Sequence, residues 1–91
     1  MQFEYDENKS DLNRIKHGID FEKAKELWSD PYAFEIPSLV ASDEERFLIL
    51  GKIGDKNYTA IVTYRDKNIR IISVRKSREK EVLLYESIRS R

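Results

Sequence analysis

Three β-rich runs joined by two short turns constrain the fold of this chain more than any other feature of its sequence. The runs span residues 46–53, 57–65 and 69–75, and the turns span residues 54–56 and 66–68. Turns rich in Gly, Asn and Asp between such runs indicate hairpins, so the segment is predicted to form an antiparallel meander. Strict alternation along the third run predicts that Arg70 and Arg75 lie on opposite faces of the sheet.

A first helix is predicted before the meander. Asp6 is a suitable N-cap for it, and Gly18 is a suitable end. Leu12 and Ile15 are expected to face the core, whereas polar residues recur at helical spacing from Lys9 onwards. The helix is therefore expected to be weakly amphipathic and half exposed.

Two further helices and two short strands complete the predicted fold. Asp20 is a suitable N-cap for a second helix, and Ser77 is a suitable N-cap for a helix at the C-terminus. Short strands are predicted at residues 2–5 and 32–37. The order β-α-α-β-β-β-β-α predicts a single α+β domain over residues 1–91, with two N-terminal helices and one C-terminal helix on an antiparallel sheet.

The composition excludes several classes of chemistry. The chain has no cysteine and one histidine, which argues against disulfides, thiol catalysis and the common zinc sites, so neither a metal nor a cofactor is expected. The acidic N-terminus lacks the basic start and apolar run of a signal peptide, and no segment is apolar enough to span a membrane. A cytoplasmic location is therefore expected.

The formal net charge of zero conceals an uneven distribution of charge. Residues 1–64 hold 8 basic and 13 acidic residues, a net charge of −5, whereas residues 65–91 hold 9 and 4, a net charge of +5. Such a separation can create a basic face, as is found on proteins that bind phosphate backbones. A solvated helix surface explains the same charges, and charge alone slightly favours that explanation.

Cleavage of RNA by attack of its own 2′-hydroxyl requires a base, an acid and cations around the phosphorane. Four candidates lie at the ends of different predicted elements: Lys16, His17, Arg46 and Arg75. Histidine titrates near neutral pH, but a histidine beside a helix end also stabilises the helix dipole, and both roles agree with the sequence. Lys16 also fits an exposed helical lysine, and Arg46 also fits one half of a surface ion pair.

The densest basic cluster lies where the last predicted strand meets the last helix. Its members are Arg70, Arg75, Lys76, Arg78 and Lys80. Unpaired amides at a helix N-terminus favour anions, so Arg75, at this junction, is the strongest phosphate-binding candidate. Tyr64 is able to stack on a base, although aromatic residues at alternating strand positions more often belong to the core.

Several motifs occur in a fixed order along nearly the whole chain. They are Phe3-Glu4-Tyr5-Asp6, Asn13 with Lys16-His17-Gly18 and Phe21-Glu22, Asp30-Pro31, Glu45-Arg46-Phe47 with Gly51, the run from Arg70 to Lys76, and Glu81 with Tyr85. Together they resemble the BrnT family of toxins from type II toxin–antitoxin systems. The family motif has tryptophan where this chain has Tyr5, and often alanine where it has Val74 and Ser77.

The resemblance implies a RelE-like ribonuclease fold and inhibition of translation by RNA cleavage, for which we expect no metal requirement. It implies neutralisation by a BrnA-like antitoxin, with operator DNA bound only through the complex of the two proteins. The implied catalytic residues are Lys16, His17, Arg46 and Arg75. The weaker RNA-binding candidates are Glu45, Tyr64, Arg70 and Lys76. Two other interpretations are a non-catalytic module that acts with a DNA-binding partner in autoregulation, and a structural domain with a solvated basic surface.

Overall fold

A computed structural model describes residues 2–91, which form one five-stranded sheet with helices on both faces. The strands are β1 (Gln2–Glu4), β2 (Phe34–Pro37), β3 (Phe47–Ile53), β4 (Lys56–Arg65) and β5 (Asn68–Lys76). The helices are α1 (Glu7–His17), α2 (Phe21–Ala24), which continues as a 3-10 helix (Lys25–Ser29), and α3 (Glu79–Arg89). The mixed α+β class is confirmed, and the meander is confirmed as β3, β4 and β5.

The predicted architecture is wrong in one detail and only partly matched in another. The sheet order is β1-β5-β4-β3-β2, and β1 pairs with β5 in parallel, so the sheet is only mostly antiparallel. No hairpin turn joins these two strands, which are distant in sequence, so turn chemistry does not determine their relative direction. The second predicted helix is a single α-helical turn that tightens into a 3-10 helix before Asp30.

A β-bulge in β5 changes which side chains share a face of the sheet. Ile61 pairs with Ser73 and Val62 pairs with Ile71, so Ile72 is an extra residue in β5. An extra residue reverses the alternation beyond it, which places Arg70 and Arg75 on the same face. The prediction of opposite faces is wrong because strict alternation ignores the bulge.

One face of the sheet carries the main hydrophobic core. Ala60 and Val62 of β4 belong to this core. They pack with three buried residues of α2 and the 3-10 helix, namely Phe21, Ala24 and Leu27. The rings of Phe3 and Trp28 meet edge to face with centroids 4.8 Å apart and extend this core towards β1. Strands β3, β4 and β5 are thus fixed against these helices, whereas on the opposite face α3 contacts the sheet at Thr59 and leaves a groove beside it.

Helix α1 packs with its polar side inward. Ser10 and Asn13 are buried, whereas Leu12 and Ile15 are 63% and 74% exposed, so the prediction that these two residues face the core is wrong. Asn13 Nδ2 donates to the Val74 carbonyl at 2.8 Å, and Asn13 Oδ1 accepts from the Val74 amide at 3.3 Å. Strand β1 pairs with β5 only as far as Arg70, so the Asn13 amide satisfies backbone groups that β1 leaves unpaired.

The predicted helix ends are confirmed except at α3. Asp6 and Asp20 accept hydrogen bonds as N-caps, and Gly18 ends α1 in the left-handed conformation with φ 77°. The N-cap of α3 is Arg78 instead of Ser77. Ser77 Oγ lies 2.9 Å from Thr59 Oγ1, so its hydroxyl is hydrogen-bonded to β4 and does not cap the helix.

Helix α3 is held to the rest of the domain through Asp30. The Tyr85 hydroxyl donates to Asp30 Oδ2 at 2.7 Å, and the Lys52 amide donates to the same oxygen at 2.8 Å. Burial by itself would raise the pKa of Asp30, but these bonds and one from the Tyr32 amide lower it. Asp30 therefore joins the 3-10 helix, β3 and α3 in one contact, which fixes the position of α3.

Replacing Asn13 by alanine is expected to destabilise the domain by about 2 to 3 kcal/mol, because it leaves buried backbone groups of β5 without partners. Leu12→Ala in the same helix removes an exposed side chain and is the matched control, with an expected change within about 0.5 kcal/mol. Urea unfolding of both variants measures the difference. Equal destabilisation by the two substitutions would contradict the assigned role of Asn13.

Candidate active site

A groove of about 490 Å³ lies on the sheet face that carries Arg75. Its apolar part is formed by Leu48, Ile61 and Ile72, which belong to three neighbouring strands. The segment 36–40 borders it on the side of β2. Its charged residues are Arg46, Arg75, Arg78 and Glu81, and we call this site the arginine groove.

Arg75 is held by a bidentate ion pair with Glu81. Arg75 Nη1 lies 2.7 Å from Glu81 Oε1, and Arg75 Nη2 lies 3.0 Å from Glu81 Oε2. The two side chains are only 19% and 13% exposed. Parallel guanidinium–carboxylate bonds of this kind fix both the distance and the plane of the arginine, so Arg75 has a defined orientation in the groove.

Glu81 accepts two further hydrogen bonds. Thr59 Oγ1 and the Arg78 amide donate to Glu81 Oε1 at 3.0 and 2.7 Å. Burial by itself would raise the pKa of Glu81, but the hydrogen bonds from Arg75, Arg78 and Thr59 outweigh it and lower the pKa to about 2. Glu81 is therefore an ionised acceptor at neutral pH and does not serve as a proton donor.

Arg46 has a looser environment than Arg75. Its Nη2 lies 3.9 Å from Glu44 Oε1, beyond hydrogen-bonding distance, and its Nε is buried without a partner among residues 2–91. The Arg46 carbonyl accepts from the Ser38 amide at 2.9 Å, which fixes the backbone where β3 begins. Arg46 thus brings uncommitted guanidinium donors to the groove from a fixed backbone position.

The electrostatics of the arginine groove favour an anion. Three arginines and one carboxylate leave a net positive charge among its lining side chains. Arg78 is exposed, and within residues 2–91 its side chain donates no hydrogen bond. Arginine binds phosphate through planar pairs of donors, and the apolar strand residues beside the cations offer a surface for a base or sugar.

Lys16 and His17 lie outside the arginine groove. Asn13 places α1 beside Val74 in β5, and Lys16 and His17 follow on the next turn of that helix. Lys16 is exposed and His17 is half-buried, and neither side chain makes a hydrogen bond or an ion pair with any other residue in the range 2–91. They therefore occupy the sheet edge next to the strand that carries Arg75.

Tyr64 lies on the opposite face of the sheet from Arg75. It pairs with Ile69, its ring centroid is 5.4 Å from that of Phe47, and its hydroxyl donates to the Glu35 carboxylate. Burial is the main cause that raises the pKa of Tyr64 to about 12, and the Glu35 carboxylate adds to it. Tyr64 is not brought together with the groove arginines.

The remaining RNA-binding candidates do not line the groove. Arg70 shares its face but pairs with Glu4, with Nη1 and Oε1 3.8 Å apart. Lys76 is exposed. In the pairing of β4 with β5 it lies opposite Tyr58, so it belongs to the face covered by α2. Glu45 precedes Arg46 and contributes to a neighbouring depression.

Two groove residues were missing from the sequence-based candidates, Arg78 and Glu81. Arg78 belongs to the basic cluster but was not separated from the other cations in it. Glu81 follows the N-cap by three residues, which is the spacing at which a carboxylate accepts from the N-cap amide. From the predicted N-cap, Ser77, the same spacing leads to Lys80, so the sequence pattern indicates neither the position of Glu81 nor its pairing with Arg75.

A comparison with known protein families identifies the family of this chain. A family model for BrnT, a ribonuclease toxin of type II toxin–antitoxin systems, matches residues 5–81. The chain belongs to the BrnT family. The match includes α1, all of β2 to β5 and Glu81, so the arginine groove lies within it. No curated protein matches the chain significantly.

Membership of the BrnT family confirms the resemblance seen in the sequence motifs. It assigns the chain to the ribonuclease toxins, and a type II system provides an antitoxin protein as the partner. No helix within residues 2–91 is long and apolar enough to cross a membrane. The arginine groove is therefore the candidate active site of a BrnT family ribonuclease toxin.

The low pKa of Glu81 predicts how stability depends on pH. A carboxyl group whose pKa is about 2 in the folded protein stabilises it above the ordinary glutamate pKa, and this contribution is lost as the pH falls towards about 2. Glu81→Gln should therefore be less stable than the wild type at pH 6, and the difference should narrow as the pH approaches 2. Denaturant unfolding at several pH values measures this, and a difference that is constant with pH would contradict it.

Proposed function

We propose that this BrnT family member is an endoribonuclease that inhibits translation by cleaving RNA without a metal ion, on a RelE-like fold. The observation that carries the proposal is the convergence of three arginines in one groove with apolar strand residues beside them. A scissile phosphate bound there would be surrounded by cationic donors. Such donors stabilise the charge that develops on the phosphorane.

The proposed reaction is transesterification within the RNA chain. The 2′-oxygen attacks the adjacent phosphorus as its proton passes to a base, and the bond from phosphorus to the 5′-oxygen breaks as that oxygen receives a proton. The products are a 2′,3′-cyclic phosphate and a 5′-hydroxyl. Arg46 and Arg75 are proposed to stabilise the phosphorane, and Arg78 is proposed to bind phosphate at the mouth of the groove.

Proton transfer is proposed to involve His17 or Lys16. The groove-lining carboxylate, Glu81, is ionised with a pKa of about 2, so it is unsuited to donate a proton at neutral pH. Lys16 and His17 lie beside β5 on α1, and an RNA strand that leaves the groove past the end of β5 would reach them.

Four peripheral residues are proposed to bind RNA to different degrees. Arg70 extends the basic surface along β5 on the face of Arg75, Lys76 adds a cation at the end of β5 on the other face, and Glu45 adjoins Arg46 at the start of β3. Tyr64 faces the other side of the sheet and is bonded to Glu35, so it would contact RNA only on that side.

The antitoxin partner is proposed to be BrnA-like, and to bind operator DNA together with the toxin, in the cytoplasm. This part of the proposal rests on membership of the BrnT family. Growth arrest on expression of the chain alone, with recovery on co-expression of the antitoxin, would support it. Uneventful expression of the chain alone would favour the non-catalytic interaction module instead.

The direct test of the proposed function is cleavage of end-labelled RNA by the purified protein. Cleavage should be equal with and without EDTA, and Arg46→Ala should reduce the rate on the order of a hundredfold, as loss of a transition-state donor does. Arg65→Ala, which removes an exposed arginine outside the groove, is the matched control and should retain the rate. Intact RNA under both conditions, with the protein folded, would refute the proposal.

Substitution of the two α1 residues tests the source of the proton transfer. Replacing the residue that acts as base or acid by alanine should lower kcat by about a hundredfold, with little change in KM. His17→Ala and Lys16→Ala are therefore compared in single-turnover assays, with Lys9→Ala on the same helix as the control. Wild-type kcat in both variants would exclude α1 from proton transfer.

A further inference from the structure

We propose that Glu81 is a positioning residue that orients Arg75 for the cleavage reaction. The inference deepens the proposed function, because it concerns the same groove and rests on RNA cleavage there. Its basis is a single half-buried carboxylate that receives hydrogen bonds from β4, from the end of β5 and from the start of α3. Arg75 is thus oriented by elements that meet only in the folded domain.

The Glu81 carboxylate is almost saturated with donors. Its Oε1 accepts from Arg75 Nη1, Thr59 Oγ1 and the Arg78 amide, and its Oε2 accepts from Arg75 Nη2. Thr59 is fully buried, so the carboxylate is held from the interior of the sheet. A shift of Glu81 would break several of these bonds at once, which makes its position well defined.

The pairing leaves Arg75 with a limited and fixed set of donors. A guanidinium has five N–H groups. Two of these bind Glu81, and Nη1 also donates to the Lys76 carbonyl at 3.3 Å. The two N–H groups that remain lie in the plane that Glu81 fixes. Arg75 therefore offers phosphate a pre-oriented pair of donors with much of its charge balanced.

This arrangement differs from that of the other groove arginines. Arg46 is 3.9 Å from its nearest carboxylate, and the Arg78 side chain has no acceptor among residues 2–91. Arg46 and Arg78 thus provide most of the net positive charge around a bound phosphate and its phosphorane, whereas Arg75 provides donors of fixed orientation. A group that contributes geometry affects the chemical step more than it affects binding.

The kinetic test compares Glu81→Gln with Glu79→Gln, a matched variant that removes an exposed carboxylate from the same helical turn. Glutamine retains the size of glutamate but places an amide donor against the guanidinium. Glu81→Gln should lower kcat on the order of tenfold and leave KM within about twofold, as expected for lost orientation. Glu79→Gln should retain both constants. The assays are run well below the unfolding midpoint of each variant, so that the loss does not arise from unfolding.

A double-substitution cycle tests whether Glu81 acts through Arg75. Arg75→Lys removes the planar fork, so adding Glu81→Gln to it should have little further effect on kcat. Additive losses from the two substitutions would show that Glu81 acts by another route and would overturn the proposal. A change in KM alone would do the same.

A spectroscopic readout separates failure of this inference from failure of the proposed function. The guanidinium N–H signals of Arg75 should be resolved and slow to exchange in the wild type, and should broaden in Glu81→Gln while those of Arg46 do not change. If the wild-type protein cleaves no RNA, the proposed function fails although the orientation of Arg75 is still measured. Unchanged Arg75 signals in Glu81→Gln would overturn the positioning role directly.

Discussion

The β-bulge at Ile72 is the constraint on which the candidate site depends. It shifts the register of β5 by one residue, so that Ser73 and Arg75 face the groove while Val74 enters the core. With strict alternation from Ile71, Arg75 would point towards the helix-covered face. Bulges commonly change the direction of side chains next to functional sites. This bulge changes the direction of Arg75, which lies between a buried segment of β5 and the start of α3.

The bulge alone does not orient Arg75, because the side chain also needs a partner. Glu81 provides that partner from α3, and α3 is itself held to the sheet through Tyr85 and Asp30. The Arg75–Glu81 ion pair is largely shielded from solvent, and desolvation opposes the stability that such a pair contributes. Its position in a groove that is otherwise cationic agrees with a role in function more than with a role in folding.

The candidate residues fall into two spatial groups, and this division shapes any mechanism for the chain. Arg46 and Arg75 meet in the groove, although they are separated by β3 and β4 in the sequence. Lys16 and His17 lie on α1, whose inward polar side is held to the edge of β5 by Asn13. A substrate that contacts both groups must extend around the end of β5, which suits an RNA strand better than a small molecule.

The sequence by itself determined the local structure: the hairpins of the meander, the caps at Asp6 and Asp20, the end of α1 at Gly18, and the motifs of the BrnT family. These depend on neighbouring residues and on backbone preferences that each residue carries wherever it lies. Only the tertiary structure decided that Asn13 is buried while Leu12 is exposed, that Arg70 and Arg75 share a face, and that Glu81 joins Arg75. Each of these depends on partners distant in the chain. The unpaired backbone groups of β5 and the half-buried Arg75 guanidinium need hydrogen-bond partners only once the elements pack together.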